Sequence, residues 1–177
     1  MSPVFIDTGF LIAVEMVQDQ HHSAAIDAWR RILLSPPELV TTSFVVAELV
    51  TFFVSRGRHA KAVELAENLR SSSAVRLIHV DEELFNAGFE YLKRRPDKQF
   101  SLTDCISFVV MNRMAIGEAL AFDAHFEQAG FSRLPSFPDR FRQKRRAKKT
   151  TVIVTLMTMM AVRMWRCSTR RAKCAPR

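Results

Sequence analysis

Cysteine is scarce and unpaired in this sequence: there are three, Cys105, Cys167 and Cys174, an odd number without C-x-x-C spacing. A disulfide framework is thereby excluded and no zinc site is suggested, which fits a protein of the reducing cytoplasm. The amino-terminal stretch has an acid at position 7 and lacks a charged segment followed by an apolar one, so no secretory signal is expected. Long hydrophobic runs are missing as well. Residues 152–165 are apolar, but the stretch is short of the roughly 20 residues that a spanning helix requires, and no transmembrane segment is expected. No internal repeat is visible. Acid is what the end of the chain lacks: residues 138–177 hold one Asp+Glu against 13 Lys+Arg, whereas residues 1–137 hold 17 against 13. The formal net charge of +8 is therefore a property of the tail, and the preceding segment is mildly acidic.

At 177 residues and 48% hydrophobic content, the chain can build the core of one domain of ordinary size and has residues to spare. The pattern assigns residues 1–137 to that domain and 138–177 to a basic, disordered tail. Within the domain, residues 3–6 read as a buried strand and 9–17 as a helix with Phe10, Leu11, Val14 and Val17 on one side. A second helix over 22–34 stops at Pro36-Pro37. Leu39-Val40-Thr41 is a short strand, Ser43 opens a helix to about Ser55, and Gly57 separates it from another at 59–70. Val75–Val80 reads as a strand, Glu82–Lys93 as a helix, Arg94–Phe100 as a polar loop, Leu102–Met114 as a helix, and Ala119-Leu120-Ala121-Phe122 as a fourth strand. Strands separated by helices imply parallel pairing with helices as crossovers.

Against this frame four acids stand out. Asp7 ends the first strand and Asp123 ends the fourth, each followed by helix-like spacing, so both fall at strand C-termini, where open α/β sheets gather ligands. Glu48 is a lone carboxylate in the apolar helix Phe44–Val50, and Asp104 lies in the first turn of the apolar helix that begins at Leu102. Each has an ordinary structural explanation. Asp7 and Asp123 suit helix N-caps, Asp104 has capping-box spacing from Ser101, and Glu48 can face solvent. Taken together, four carboxylates converging on one sheet edge would repel strongly unless protonated or offset by a bound cation. With no Cys or His in the set, the cation preferred is hard, Mg²⁺ or Mn²⁺.

Phe5-Ile6-Asp7-Thr8, the run Ser43–Leu49 around Glu48, Ser101-Leu102-Thr103-Asp104-Cys105 and Ala121-Phe122-Asp123-Ala124-His125-Phe126 resemble, in order and spacing, the four acidic motifs of the PIN-domain family, and in particular its small VapC-like ribonuclease toxins of bacterial toxin–antitoxin pairs. The resemblance covers roughly residues 3–135. It implies a three-layer α/β/α fold around a mainly parallel sheet of four to five short strands. It also implies that Asp7, Glu48, Asp104 and Asp123 hold the metal, with Thr8 and Ser101 as supporting hydroxyls. The activity implied is Mg²⁺-dependent endoribonuclease cleavage of RNA by activated water, with a cognate antitoxin and a homodimeric state as further implications. The alternative is a catalytically weak domain serving as an RNA-binding or antitoxin-binding scaffold. Two positions depart from the family pattern. Ala121 stands where Thr is frequent, and His125 stands where an acid is frequent, which puts a second metal site in doubt.

Basic groups must offset the acidic pocket for a polyanion to approach, and Arg56, Arg58, Lys61, Lys93, Arg94, Arg95 and Lys98 are the candidates for such a rim. Asp7-Thr8-Gly9 also matches the Asp-Thr-Gly of aspartic proteases, but their fold is nearly all β. A haloacid-dehalogenase-like phosphatase would have an acid where Gly9 stands. His21-His22 point to different sides of a helix, which favours structural or capping roles over metal binding. Cys105 reads as a small buried residue, with no His placed to activate it. For the tail three explanations stand side by side: a basic arm for RNA or an anionic surface, an amphipathic membrane-surface segment, and read-through into an altered frame.

Overall fold

Val4–Ile6 forms β1, a three-residue strand buried along its whole length. Its alternation explains the layering of the molecule. Side chains of successive strand residues point to opposite faces, and here Val4 and Ile6 join one apolar cluster while Phe5 joins another. The computed structural model describes residues 2–135. Within them the elements run β1, α1 (Thr8–Glu15), α2 (His22–Leu34), β2 (Leu39–Thr42), α3 (Ser43–Val54), α4 (His59–Ser71), β3 (Val75–Ile78), α5 (Glu82–Lys93), α6 (Leu102–Arg113), β4 (Glu118–Leu120), α7 (His125–Gln128) and β5 (Ser132–Leu134). The proposed boundary near residue 137 and the whole basic tail lie outside the described residues.

The five strands pair in the order β3-β2-β1-β4-β5, every pair parallel. On one face, Val4, Ile6, Leu39 and Leu120 pack with Phe10, Ala13 and Val14 of α1 and Ala25 and Ala28 of α2. On the other, Phe5, Val40, Ala119 and Ala121 pack with Ile106, Phe108 and Met111 of α6 and Leu84 of α5. This is the three-layer arrangement the alternation of strands and helices implied, with the sheet at the upper end of the expected strand number. A smaller cluster of Leu49, Phe53, Ala62 and Leu65 joins α3 to α4.

Three boundaries differ from the sequence reading, each for a local reason. Helix α1 ends at Glu15, capped by the Met16 N–H on the Ile12 carbonyl, so Val17 leaves the apolar side and is 42% exposed. Strand β4 is shorter than the apolar run suggested because Ala121 and Phe122 lie beyond its last bridge, although the Ala121 N–H still bonds the Leu134 carbonyl. Strand β5 was not legible at all: Ser-Arg-Leu carries no apolar alternation and pairs only through β4.

Helices α5 and α6 make the closest crossing. Gly88 is buried where the two meet, and a Cβ there would run into the Ile106 side chain and come within 3.2 Å of its backbone. Replacing Gly88 by Ala is expected to lower stability by about 1–3 kcal/mol through overpacking, measured by denaturant unfolding; an unchanged midpoint would show that the crossing has slack.

Candidate active site

The strand order reverses between β1 and β4, since the chain leaves β1 toward β2 and β3 and later returns to the opposite flank of β1. In a parallel sheet such a reversal opens a crevice beyond the strand C-termini. Asp7 follows β1 and Asp123 lies just past β4, so the two acids border that crevice from adjacent strands. The Asp7 N–H bonds the Leu120 carbonyl at 3.0 Å, carrying the ladder up to the acid itself. Glu48 comes from α3, entered directly from β2, and Asp104 from the first turn of α6. All four side chains line one open pocket of about 480 Å³, together with Thr8, Gly9, His21, Gln99, Ser101, Phe122 and His125.

The surroundings of the four acids are unequal. Asp7 is 8% exposed and caps α1, its Oδ2 accepting the Gly9 N–H at 3.0 Å. Burial, reinforced by the nearby charges of Asp104 and, more weakly, Glu48, pushes its pKa up from 3.8 to about 7 against the pull of the Gly9 and Thr8 backbone N–H groups. Glu48 is on the exposed side of α3, and its Oε2 accepts the Thr8 hydroxyl at 2.8 Å. Thr8 thus supports a candidate ligand as expected. Ser101 does so differently: its backbone N–H donates to Asp104 Oδ2 at 2.8 Å while its hydroxyl accepts the Asp104 N–H at 3.0 Å, a complete capping box. Asp123 accepts the His125 N–H on Oδ1 at 2.9 Å. The His125 imidazole then bridges, with Nδ1 3.2 Å from an oxygen of Asp104 and 3.2 Å from an oxygen of Asp123. Ala121, fully buried, offers no hydroxyl to this side of the pocket.

The four acids are brought together as pocket lining, yet among the described residues no three His, Cys, Asp or Glu side chains are already arranged to hold one metal ion. Two of the carboxylates are instead turned toward His125. The donor set is nevertheless all carboxylate oxygen, which suits Mg²⁺ or Mn²⁺. Asp7, desolvated beside like charges, is the group that a cation would relieve most.

Several expectations about neighbouring residues are corrected. None of the seven basic rim candidates lines the pocket, whose described lining has no Lys or Arg. Lys61 is taken by Glu15 at 2.9 Å and Glu64 at 3.1 Å, Arg56 lies over the Phe52 ring at 3.6 Å, and Arg94 and Arg95 line a separate hollow near Tyr91. The two histidines do diverge: His22 donates from Nδ1 to the Ala13 carbonyl at 2.7 Å, a structural role, but His21 turns its ring into the pocket wall and makes no side-chain cap. His21 was missed as a pocket residue because nothing in the doublet tells which ring faces the site. Cys105 is buried, and burial together with the Asp104 charge pushes its thiol up to about 11, so it is no nucleophile.

Topology and pocket define a parallel α/β domain with a cluster of acids at its switch point, and residues 4–132 match the PIN domain. The chain belongs to the PIN-domain family. It is 35% identical over 128 residues to the 23S rRNA-specific endonuclease VapC20 of Mycobacterium tuberculosis, in strains CDC 1551 / Oshkosh and ATCC 25618 / H37Rv alike, with 72% of this chain and 95% of the relative covered. The crystal structure of VapC20, a sarcin–ricin loop cleaving toxin, matches with a TM-score of 0.66 at 34% identity, over 72% of this chain and 95% of that one. The crystal structure of FitAcB from Neisseria gonorrhoeae matches with a TM-score of 0.53 at 17% identity, over 73% and 95%, a likeness of fold alone.

The raised pKa of Asp7 has a measurable consequence in protein freed of divalent cations by chelation. Below about pH 4 Asp7 is protonated in both folded and unfolded chains; between about 4 and about 7 only the unfolded chain releases the proton, so stability falls as pH rises through that window and levels off above it. A shift of this size corresponds to about 4 kcal/mol. Asp7→Asn is expected to melt like the parent near pH 4 and well above it at pH 8. Melting differences that stay constant across that range would show that Asp7 ionises normally.

Proposed function

We propose that this chain is a Mg²⁺-dependent endoribonuclease, the toxin of a toxin–antitoxin pair, that hydrolyses RNA phosphodiester bonds with activated water. The observation that carries the reading is the lining of one switch-point pocket by Asp7, Glu48, Asp104 and Asp123. Similarity along nearly the full length of an endonuclease specific for 23S rRNA supports RNA as the substrate and a structured ribosomal loop as the first one to try. Mn²⁺ is expected to substitute for Mg²⁺. A homodimeric state and a cognate antitoxin belong to the same reading and rest on the likeness to VapC toxins.

The four carboxylates would hold the ion, which when bound supplies Lewis acidity to water and phosphate and offsets charge on the leaving oxygen. The chain's own part is placement. The Thr8 hydroxyl fixes Glu48, the Ser101 N–H fixes Asp104, and β1–β4 pairing fixes the backbone of Asp7. Burial of Asp7 keeps its charge from being screened by water, so its attraction to a cation is strong. With no Lys or Arg in the described lining, a phosphate is repelled from this pocket unless the carboxylates are neutralised.

Cleavage of a sarcin–ricin loop RNA with Mg²⁺, with Mn²⁺ and with chelator tests the proposal. Asp7→Asn, Glu48→Gln, Asp104→Asn and Asp123→Asn are each expected to lower the rate about 100-fold or more, the scale of losing one preorganised charge-stabilising group, while circular dichroism stays that of the parent. Parental rates in two of the four variants would remove these residues as the site. A parent that binds RNA without cutting it, under any of the three conditions, would favour the scaffold alternative.

A further inference from the structure

We propose that His21, backed by Phe122, is the stacking platform for a nucleobase beside the scissile phosphate; the proposal rests on the ribonuclease reading and names what that pocket grips besides the phosphate. The two rings lie 4.4 Å apart and 6° from parallel. They end a column of aromatic rings that rises out of the core: Trp29 and Phe10 at 6.1 Å, Phe10 and Phe122 at 5.7 Å and 17°. Phe10 is fully buried, Phe122 and His21 are half-buried, and the last two line the same pocket as the acids. Phe122 is the residue before Asp123, so the platform and a candidate metal ligand are fixed by one stretch of backbone. That stretch is braced by Arg133, whose Nη1 donates to the Phe122 carbonyl at 2.7 Å. On the other side, the His21 N–H donates to Asp19 Oδ1 at 2.7 Å and the His22 ring is tied to Ala13, so the loop carrying the imidazole is held before any ligand arrives.

Charge decides what such a platform can take. The described lining holds four acids and no Lys or Arg, so the pocket has no ion pair to offer a phosphate. The base is the neutral, flat part of a nucleotide, and every base has a face that stacks on an aromatic ring. A rigid ring pair next to the acid cluster therefore grips RNA through the one component that the acids do not repel. Stacking of this kind tolerates any base, so His21 is a positioning residue that sets which nucleotide flanks the cut, and it contributes to binding more than to the chemical step.

The test measures RNA affinity by fluorescence anisotropy in the full chain carrying Asp7→Asn, so that substrate is not consumed, with a sarcin–ricin loop RNA in Mg²⁺. Adding His21→Ala is expected to weaken binding about 5- to 150-fold, the range for loss of one stacked base, and His21→Phe to stay within about twofold. Replacing the base of one nucleotide flanking the cleaved bond by an abasic unit is expected to weaken the His21 protein by the same factor and the His21→Ala protein not at all. This arm changes only the RNA and is immune to any folding defect of the variants. Equal affinity of the His21 and His21→Ala proteins, an equal loss in His21→Ala and His21→Phe, or an abasic penalty that persists in His21→Ala would overturn the proposal. If the parent cuts RNA and Asp7→Asn does not, those outcomes leave the ribonuclease reading standing; a chain that neither binds nor cuts RNA sinks both.

Discussion

Asp7 is a carboxylate denied water, with Asp104 and Glu48 as like-charged neighbours, at the point where the strand order of the sheet reverses. Much of the molecule serves to keep it there. Its backbone is the continuation of β1, the central strand, clamped on one side by the Leu120 carbonyl, while the Thr41 hydroxyl ties the Ile6 carbonyl just before it to β2. The apolar layers on both faces are nucleated by the same strand, Val4 and Ile6 toward α1 and α2, Phe5 toward α6. A core packed this tightly is not free to relax by admitting water. The electrostatic tension at Asp7 therefore cannot be dissipated by local rearrangement and is left for a proton or a cation to relieve.

Helix capping and metal holding present themselves in the sequence as rival explanations for the same acids, and the structure shows why they are compatible. Asp7 caps α1 and Asp104 caps α6 through a full capping box. A cap uses one lone pair of one oxygen, whereas an ionised carboxylate has about four acceptor positions. Capping also fixes the side-chain rotamer and aims the group along the helix axis, which a ligand must have in any event. The helix N-terminus gains an acceptor and the pocket gains an oriented oxygen, so one residue satisfies both demands.

What was legible in the sequence follows from range. Elements set by periodicity and punctuation were readable: α2 between His22 and Leu34, α5 between Glu82 and Lys93, and the strand β2 after Pro36-Pro37. So were the acids, because each sits at an element boundary that local pattern marks, and their order and spacing carried the family likeness. The parts not readable depend on partners distant in sequence. Strand β5 exists because β4 offers it an edge, and Arg133 within it pairs with Glu127 and the Phe122 carbonyl, none of which a three-residue polar run announces. The basic rim failed for the opposite reason: charge counts do not say which acid each cation meets, and Lys61 meets Glu15 from another helix. His21 was hidden because ring direction on the loop before α2 is set by Asp19 and by stacking on Phe122, over a hundred positions away.

His125 marks where this chain handles its acids differently from the family pattern, in which an acid is frequent at that position. A fifth carboxylate there would add repulsion to a pocket already pressed at Asp7. The imidazole instead places one nitrogen within 3.2 Å of both Asp104 and Asp123, and its ring packs edge-on against Phe100 at 5.3 Å, which limits its swing. In the neutral ring a single Nδ1–H can donate fully to only one of two carboxylates, so the bridge is a shared and incomplete satisfaction of both. Such a contact orients two acids from separate elements, α6 and the turn after β4, without saturating either. The side of the pocket opposite Asp7 is thus drawn together by hydrogen bonding, while Asp7 and Glu48 have only Thr8, Gly9 and backbone amides to answer their charge. It is at that end, the drier and less compensated one, that a cation has most to offset.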